Sequence, residues 1–587
     1  MKMRVTDYIA NYIYDVLQVP EVFMLTGGGA MFLNDGVAKH DKLKVICNHH
    51  EQACAMGAVA YSKYTNKIGV AYVTTGCGGT NAITGVLDAW QDSTQALFIS
   101  GQVKKKETCY NTDLPLRQFG VQEADIVSVV KSITKYAIMV NEPNDIAYHI
   151  EKACYLAKSG RPGPVWIDIP LDVQGATIDT DNLKHFDENE IVKEYVEIVD
   201  DKDIDEVIKE LKSAKRPMII AGNGVRLSDS VGEFNGFVDG FNIPVVASYL
   251  AIDLMSTNSD KFIGRLGTKG DRAGNFALQN ADFVLVLGSR LSVALTGFEY
   301  DLFMRDAKVF VVDIDSKEHQ KNTVKIDKFI NCDLRDFFNK INQKRIKLDT
   351  NEWIEKCNYW KNKWPVALER YESEEKINKY TFIEHLCKFL KDDTAVVSDA
   401  GSSYYVTSQA LKIKGNQRYI TSGAQADMGF TMPAAIGTCF AKNGEVVGIT
   451  GDGSFQMNIQ ELATAVHYKL PVTLIILNNG FLGNVRQWQQ LFYDKRYACT
   501  NLQPDESRVL TQEMIDNGEF EYVPDFVKLA ESYGAKGMRV TKESDIAKAF
   551  KFADKHEKAP TVLEFLIPTE INVLPMVPAG KSLSEML

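Results

Sequence analysis

The sequence predicts an α/β protein of three units, each a doubly wound, mostly parallel sheet. Short β-branched runs alternate with helical stretches along the whole chain, the pattern of parallel strands joined by crossover helices. The 587 residues are too many for a single core, so the chain must divide into several domains. With 45% hydrophobic and 24% charged residues, the composition is that of an ordinary globular protein. It contains neither a short-period repeat nor a low-complexity tract.

The first unit is placed at 1–178. Its opening, "MKMRVTDYIANYIYDVLQ", carries Ile9, Ile13, Val16 and Leu17 at helical spacing behind Thr6 as a cap. It reads as an amphipathic helix rather than a secretion signal. Strands are expected at "VFML" (22–25), "IGVAYVTT" (68–75), "ALFIS" (96–100) and "PVWIDI" (164–169). The acidic stretch at 179–203 is a linker into a second unit, placed at 190–345. That unit has strands at "RPMIIAG" (216–222), "PVVAS" (244–248), "ADFVLVLGS" (281–289) and "KVFVVDID" (308–315). A Lys- and Trp-rich helical stretch around 350–375 leads to a third unit at 375–570. Its strands are "AVVSDAG" (395–401), "EVVGITGDG" (445–453), "PVTLIILNN" (471–479) and "TVLEFLI" (561–567). Residues 571–587 form a tail.

A formal net charge of −11 gives no basic footprint for nucleic acid or an anionic membrane. Ten cysteines, scattered singly, favour reduced thiols in a cytoplasmic protein over a disulfide framework. No apolar run reaches the roughly 18 residues of a membrane span.

Chemistry concentrates at "GDGSFQMNIQELATAVHYKLPVTLIILNN" (451–479). In an open parallel sheet, ligands bind at the carboxyl ends of strands. Asp452 stands at one such end between glycines that allow a tight turn. A helix should follow, capped by Asn458 with Glu461 three residues on. The next strand ends at Asn479, beside Asp452. One carboxylate, one amide oxygen and a backbone carbonyl would contribute to the octahedral oxygen shell that Mg²⁺ prefers, with phosphate oxygens and water completing it.

This segment resembles the metal–diphosphate signature of thiamine diphosphate enzymes. The resemblance extends over almost the whole chain to the acetolactate synthase family, through "TSGAQADMGFTMPAAIG" (421–437), "GNVRQWQQLFYDKRY" (483–497) and "NVLPMVPAGKSLSEML" (572–587). It implies pyrimidine-binding, central and diphosphate-binding units, in that order. It also implies that Asp452 and Asn479 bind Mg²⁺ through side chains and Phe481 through its carbonyl. Gly401, Ser402, Ser403, Gly453 and Ser454 would line the diphosphate, and Ala426 would touch the cofactor. Met428 would prop the cofactor in its bent shape, and the tail would close over the site as a lid.

"VICNHHEQACAMGAVAYSK" (45–63) is similar to the family's second signature, with Glu51 in the key position. A carboxyl group on the aminopyrimidine ring promotes the tautomer that deprotonates the thiazolium, which then serves as electron sink for 2-keto acid decarboxylation. The resemblance puts Asn81, from "TTGCGGTN" (74–81), near the thiamine ring, and it brings Glu51 and the diphosphate site from different subunits of a homo-oligomer. "GRLGTKGDRAGNFALQNADFVLVLGSRL" (264–291) resembles a flavin-binding segment, with Arg161, Arg290, Asp313 and Asp333 at matching positions; FAD would serve a non-redox role. His49 and His50 are pocket lining at most.

Four acceptor-side positions depart from the family. Its arginine is Ala294 here, its lysine is Leu171, its phenylalanine is Val121, and its methionine ahead of Trp488 is Asn484. Gln122 remains and is counted with Glu51 as catalytic. An additional segment, 501–523, follows the cofactor loop and is expected to remodel the entrance. These changes point to pyruvate as donor and to a ketone or aldehyde acceptor, a keto-deoxy sugar nucleotide by similarity of N-terminal segments. The alternative is the large subunit of acetolactate synthase, with two pyruvates as substrates.

Overall fold

The computed structural model describes residues 1–191, 198–372, 376–502, 524–556 and 559–587. Three six-stranded sheets succeed one another along the chain. In the first, the strands run Lys44–Cys47, Glu21–Met24, Gly69–Val73, Ala96–Gln102, Pro164–Pro170, Tyr136–Met139, all parallel. The second runs Phe262–Arg265, Val245–Ala247, Pro217–Ala221, Phe283–Leu287, Lys308–Asp313, Lys328–Asn331. The third runs Arg418–Thr421, Ala395–Ser398, Val446–Gly451, Val472–Asn478, Thr561–Leu566, Lys536–Val540. The α/β class with three mostly parallel sheets is therefore as the alternation of elements predicts. An antiparallel pair, Lys2–Arg4 with Thr177–Asp179, ties the two ends of the first unit together.

Two local readings are corrected. The first helix spans Val5–Asn11 with Arg4 as N-cap, so Thr6 lies buried in the first turn and caps nothing. Beyond Asp452 the chain makes a short helix, Asp452–Phe455, and resumes helix at Glu461–His467 behind Gln460. Asn458 is spent elsewhere: its Nδ2 donates to Gln52 Oε1 at 3.0 Å and to the Gly429 carbonyl at 2.9 Å. Glu461 accepts from Asn48 Nδ2 and from the His49 N–H, both at 2.9 Å. A long-range contact has outcompeted the local capping box.

The small residues after Glu51 do what their size permits. Helix Glu51–Thr65 crosses helix Thr431–Lys442 so closely that a Cβ on Gly437 would lie 2.1 Å from the Gly57 carbonyl oxygen. This crossing runs the core of the first sheet into that of the third. The tail docks elsewhere, on the second and third units. Gln487 exchanges two hydrogen bonds with the Val573 backbone, and the Val577 N–H donates to the Thr268 carbonyl at 2.8 Å.

All ten cysteines are unpaired thiols. Among the described residues, no helix is long and apolar enough to cross a membrane. Most of the segment 501–523 lies outside the described residues.

Candidate active site

Strands Val446–Gly451 and Val472–Asn478 are parallel neighbours in register, Gly451 opposite Leu477. Asp452 and Asn479 therefore leave the sheet side by side. Asp452 is 2% exposed, and its Oδ2 accepts the Gly480 N–H at 2.8 Å. Burial pushes its carboxyl up to about 7, against the opposing pull of the Gly453 and Gly480 N–H groups. Among the described residues no basic side chain pairs with it, so the site carries an uncompensated buried acid of the kind a cation would relieve. Asn479 Oδ1 accepts the Phe481 N–H at 3.2 Å, folding the loop back beneath the carboxylate. The donors gathered here are oxygens, suited to a hard cation. No cluster of three His, Cys, Asp or Glu side chains placed for a metal occurs among the described residues, so any ion depends on this mixed set.

Asp399 organises the opposite wall. It is fully buried, and burial raises its pKa. Its Oδ2 accepts from Ser454 Oγ at 2.6 Å and Thr450 Oγ1 at 2.8 Å, while Oδ1 accepts the Ala400 N–H at 2.7 Å. Ser454 Oγ in turn accepts the Gly429 N–H at 2.8 Å. One carboxylate thus connects the strand ends to the loop bearing Met428. Gly401 opens helix Gly401–Ala410 at φ +62°, where a Cβ would strain the turn. Ser403 Oγ donates to the Ala400 carbonyl at 2.8 Å, and Ser402 Oγ lies 3.1 Å from where a Cβ on Gly483 would stand. A Cβ on Gly453 would sit 2.5 Å from Leu482 and 3.8 Å from Met428 Cε. Phe481, Asn479, Asp452, Gly453, Ser454, Met428 and residues 401–403 therefore gather at the carboxyl ends of three strands.

The loop at 423–428 is tied from the first unit. Asp92 accepts the Gly423 and Ala424 N–H groups at 2.8 and 2.9 Å, and partly buried Lys63 bridges Asp92, Asp88 and the Thr421 carbonyl. Ala426 follows in the left-handed conformation, φ +54°.

Glu51 begins its helix behind His50, whose ring accepts the Gln52 N–H at 3.0 Å. The glutamate is 6% exposed, and Asn81 Nδ2 donates to its Oε2 at 2.9 Å. Oε1 faces Gly78, 3.6 Å from where a Cβ would stand there. Asn81 ends the short helix Cys77–Asn81, which starts after Gly76 at φ +64°. A Cβ on Gly76 would lie 2.0 Å from the Gln122 carbonyl oxygen, so the glycine-rich loop and the Gln122 loop touch through backbone. Gln122 itself is exposed at φ +62°. Among the described residues, no hydrogen bond or ion pair within the chain joins Glu51 or Asn81 to the Asp452–Ser454 group.

Arg161, Arg290, Asp313 and Asp333 line a single cavity of about 940 Å³, between the first and second units and the loop at 423–424. Arg161 Nε donates to Ser93 Oγ at 2.8 Å, and its guanidinium pairs with Asp315 at 3.1 Å. Asp333 caps helix Leu334–Ile341. Gly222, Gly224 and Gly288 bring the cavity's strand ends into backbone contact.

Three family models match in succession: the thiamine pyrophosphate enzyme N-terminal binding domain over residues 3–129, the central domain over 204–341 and the C-terminal binding domain over 399–565. The acetolactate synthase large subunit of Lactococcus lactis is 34% identical over 97% of this chain and 94% of its own length. This chain belongs to the thiamine pyrophosphate enzymes of the acetolactate synthase family. The Corynebacterium glutamicum large subunit is 32% identical over 96% of this chain and 87% of its own, and the mitochondrial acetolactate synthase of Schizosaccharomyces pombe 32% over 97% and 84%. A thiamine diphosphate-dependent 2-keto acid decarboxylase and carboligase is thus the enzyme class.

Sequence reading missed Asp399 and Asp92. "SDAG" at a strand end parallels "GDG" and could have marked the first. Nothing local marks Asp92, whose partners lie 331 and 332 residues away.

Proposed function

We propose that this enzyme decarboxylates pyruvate and joins the acetyl unit to a second 2-keto acid, as an acetolactate synthase catalytic subunit does. The relatives' names favour this acceptor over the sugar nucleotide. The observation that carries the reading is the buried Glu51, held by Asn81, in a chain that also presents Asp452 and Asn479 at adjoining strand ends. When bound, thiamine diphosphate supplies the electron sink for decarboxylation and the carbon nucleophile for ligation. Glu51 holds and exchanges a proton through Oε1 while Asn81 fixes Oε2. Asp452, Asn479 and the Phe481 carbonyl would hold Mg²⁺, and Gly401–Ser403 with Gly453 and Ser454 would receive the diphosphate. Ala426 and Met428 would contact the cofactor, with Gln122 completing the site from a second copy. Loss of water around the reacting carbon, aided by the docked tail, would favour ligation over protonation.

The cavity with Arg161, Arg290, Asp313 and Asp333 supports FAD, at the upper end of usual ligand-pocket volumes. Its role would be structural, so flavin absorbance should stay constant during turnover. Mass spectrometry of products from pyruvate, thiamine diphosphate and Mg²⁺ tests the whole reading, with acetolactate expected. Carbon dioxide release that depends on an added keto-deoxy sugar nucleotide would instead favour the second reading, which rests on Ala294, Leu171, Val121 and Asn484.

A further inference from the structure

Two of the four departing positions meet at Thr268–Lys269, within the stretch 264–291 that resembles a flavin-binding segment. The Ala294 carbonyl accepts both the Thr268 N–H at 2.9 Å and Thr268 Oγ1 at 3.2 Å. Asn484 Oδ1 accepts from Lys269 Nζ at 2.6 Å. The Lys269 side chain reaches from the second unit to the rim of the diphosphate-side space. Its ammonium lies 3.7 Å from the ring centroid of Tyr405, on the helix that Gly401 opens. Asn484 flanks Gly401 directly, its Cβ 3.8 Å from where a Cβ on that glycine would stand.

Lys269 is 7% exposed, and its only side-chain partners among the described residues are a neutral amide and an aromatic ring. A buried ammonium with no acid is a costly feature unless something anionic arrives. Burial alone lowers its pKa, to about 7, so the cation forms at little cost once an anion is present. The tail's Val577 N–H on the Thr268 carbonyl closes the same segment from outside.

We propose that Lys269 binds the carboxylate of the second 2-keto acid, replacing the arginine that the family carries at the position of Ala294. The assignment rests on the acetolactate reading above and restores one of the two cations that the family carries and this chain lacks at Ala294 and Leu171. The donor carboxylate is the poorer candidate. A cation there would stabilise charge that departs as carbon dioxide forms, favouring the ground state over the transition state.

The holoenzyme is supplied with pyruvate and equal amounts of 2-ketobutyrate and propanal, acceptors that differ by the carboxylate, and the two adducts are measured by mass spectrometry. Their ratio is internal to each sample and independent of the folded fraction. Lys269→Met and Lys269→Gln should each lower the 2-ketobutyrate-to-propanal ratio by about ten- to a hundred-fold, the range of one hydrogen bond to a charged group. Lys269→Arg should hold it within about three-fold of the parent. An unchanged ratio in Lys269→Met and Lys269→Gln overturns the assignment. So does a ten-fold loss of thiamine diphosphate affinity with the ratio intact, which would turn Lys269 towards the cofactor. A parent enzyme that forms no 2-ketobutyrate adduct overturns the acetolactate reading itself.

Discussion

Glu51 is the residue whose chemistry separates most cleanly from its packing. Its Oε2 is spent on Asn81, and the helix behind it is capped by His50 rather than by its own side chain. Glu51→Gln keeps the shape and the Asn81 bond and loses only the exchangeable proton. Donor decarboxylation should fall by about 10²- to 10⁴-fold, the usual contribution of a positioned acid or base. Thiamine diphosphate affinity, read by titration, should hold within about three-fold, since on the proposed reading the affinity would come from the Asp452 side. Carbon dioxide release at the parent rate would exclude Glu51 as the acid. Asp399→Ala makes the converse case. It strands the hydroxyls of Ser454 and Thr450, each costing about 1–3 kcal/mol when left buried and unpaired. The loss should appear as weakened cofactor affinity and a lowered melting temperature, whereas an unaltered affinity would deny Asp399 its organising role. The residues that take part in short-range patterns were legible in the sequence: Asp452 between glycines, Asn479 at a strand end. Asp92 and Lys269 were not, because their partners lie 331 and 215 residues away, while Asp399 went unread although its strand-end setting parallels that of Asp452.

Strands were legible where they lie inside their sheet rather than at its edge. In each sheet the four central strands match the apolar runs, and in each the two edge strands escaped notice. Four of the six, Lys44–Cys47, Tyr136–Met139, Lys328–Asn331 and Lys536–Val540, have partly exposed, mixed sequences, because a strand at the margin has one neighbour and one wetter side; the other two, Phe262–Arg265 and Arg418–Thr421, are largely buried and exposure does not explain them. Central strands carry the opposite burden, as Asp168 illustrates. It lies fully buried on strand Pro164–Pro170, accepting from Ser100 Oγ at 2.6 Å and Gln102 Nε2 at 3.2 Å. Burial pushes its carboxyl up to about 7. The folded value is thus above the unfolded one, and the folded state binds the extra proton. The charging penalty is absent below about pH 4 and complete above about pH 7, where it reaches about 4 kcal/mol. Stability should therefore fall as pH rises through that window. Asp168→Asn has no charge to bury, so its melting temperature relative to the parent should climb between pH 5 and pH 8. A constant difference across that range would mean that Asp168 is not the group responsible.

At the scale of the molecule, one chain contains two groups of candidate site residues that no hydrogen bond or ion pair joins among the described residues. Glu51 and Asn81 form one hydrogen-bonded group, Asp399 with Ser454 and Gly429 forms another, and Asp452 is bonded to the Gly480 N–H beside it. Apolar side chains lie in solvent beside each group: Phe119 and Val121 next to Gln122, and Val485, Leu491 and Phe492 on the helix that follows Phe481. Such patches mark surfaces that a partner covers, and a second copy arranged about a two-fold axis would cover both at once. Glu51→Gln and Asp452→Asn should each be inactive alone. Co-expressed in equal amounts, they should recover about a quarter of parent activity, because half of the random dimers are mixed and each mixed dimer rebuilds one of its two sites. Complete sites within single chains would leave the mixture as inactive as its components, and the rate of the co-expressed pair against the rates of the two variants alone decides between the arrangements.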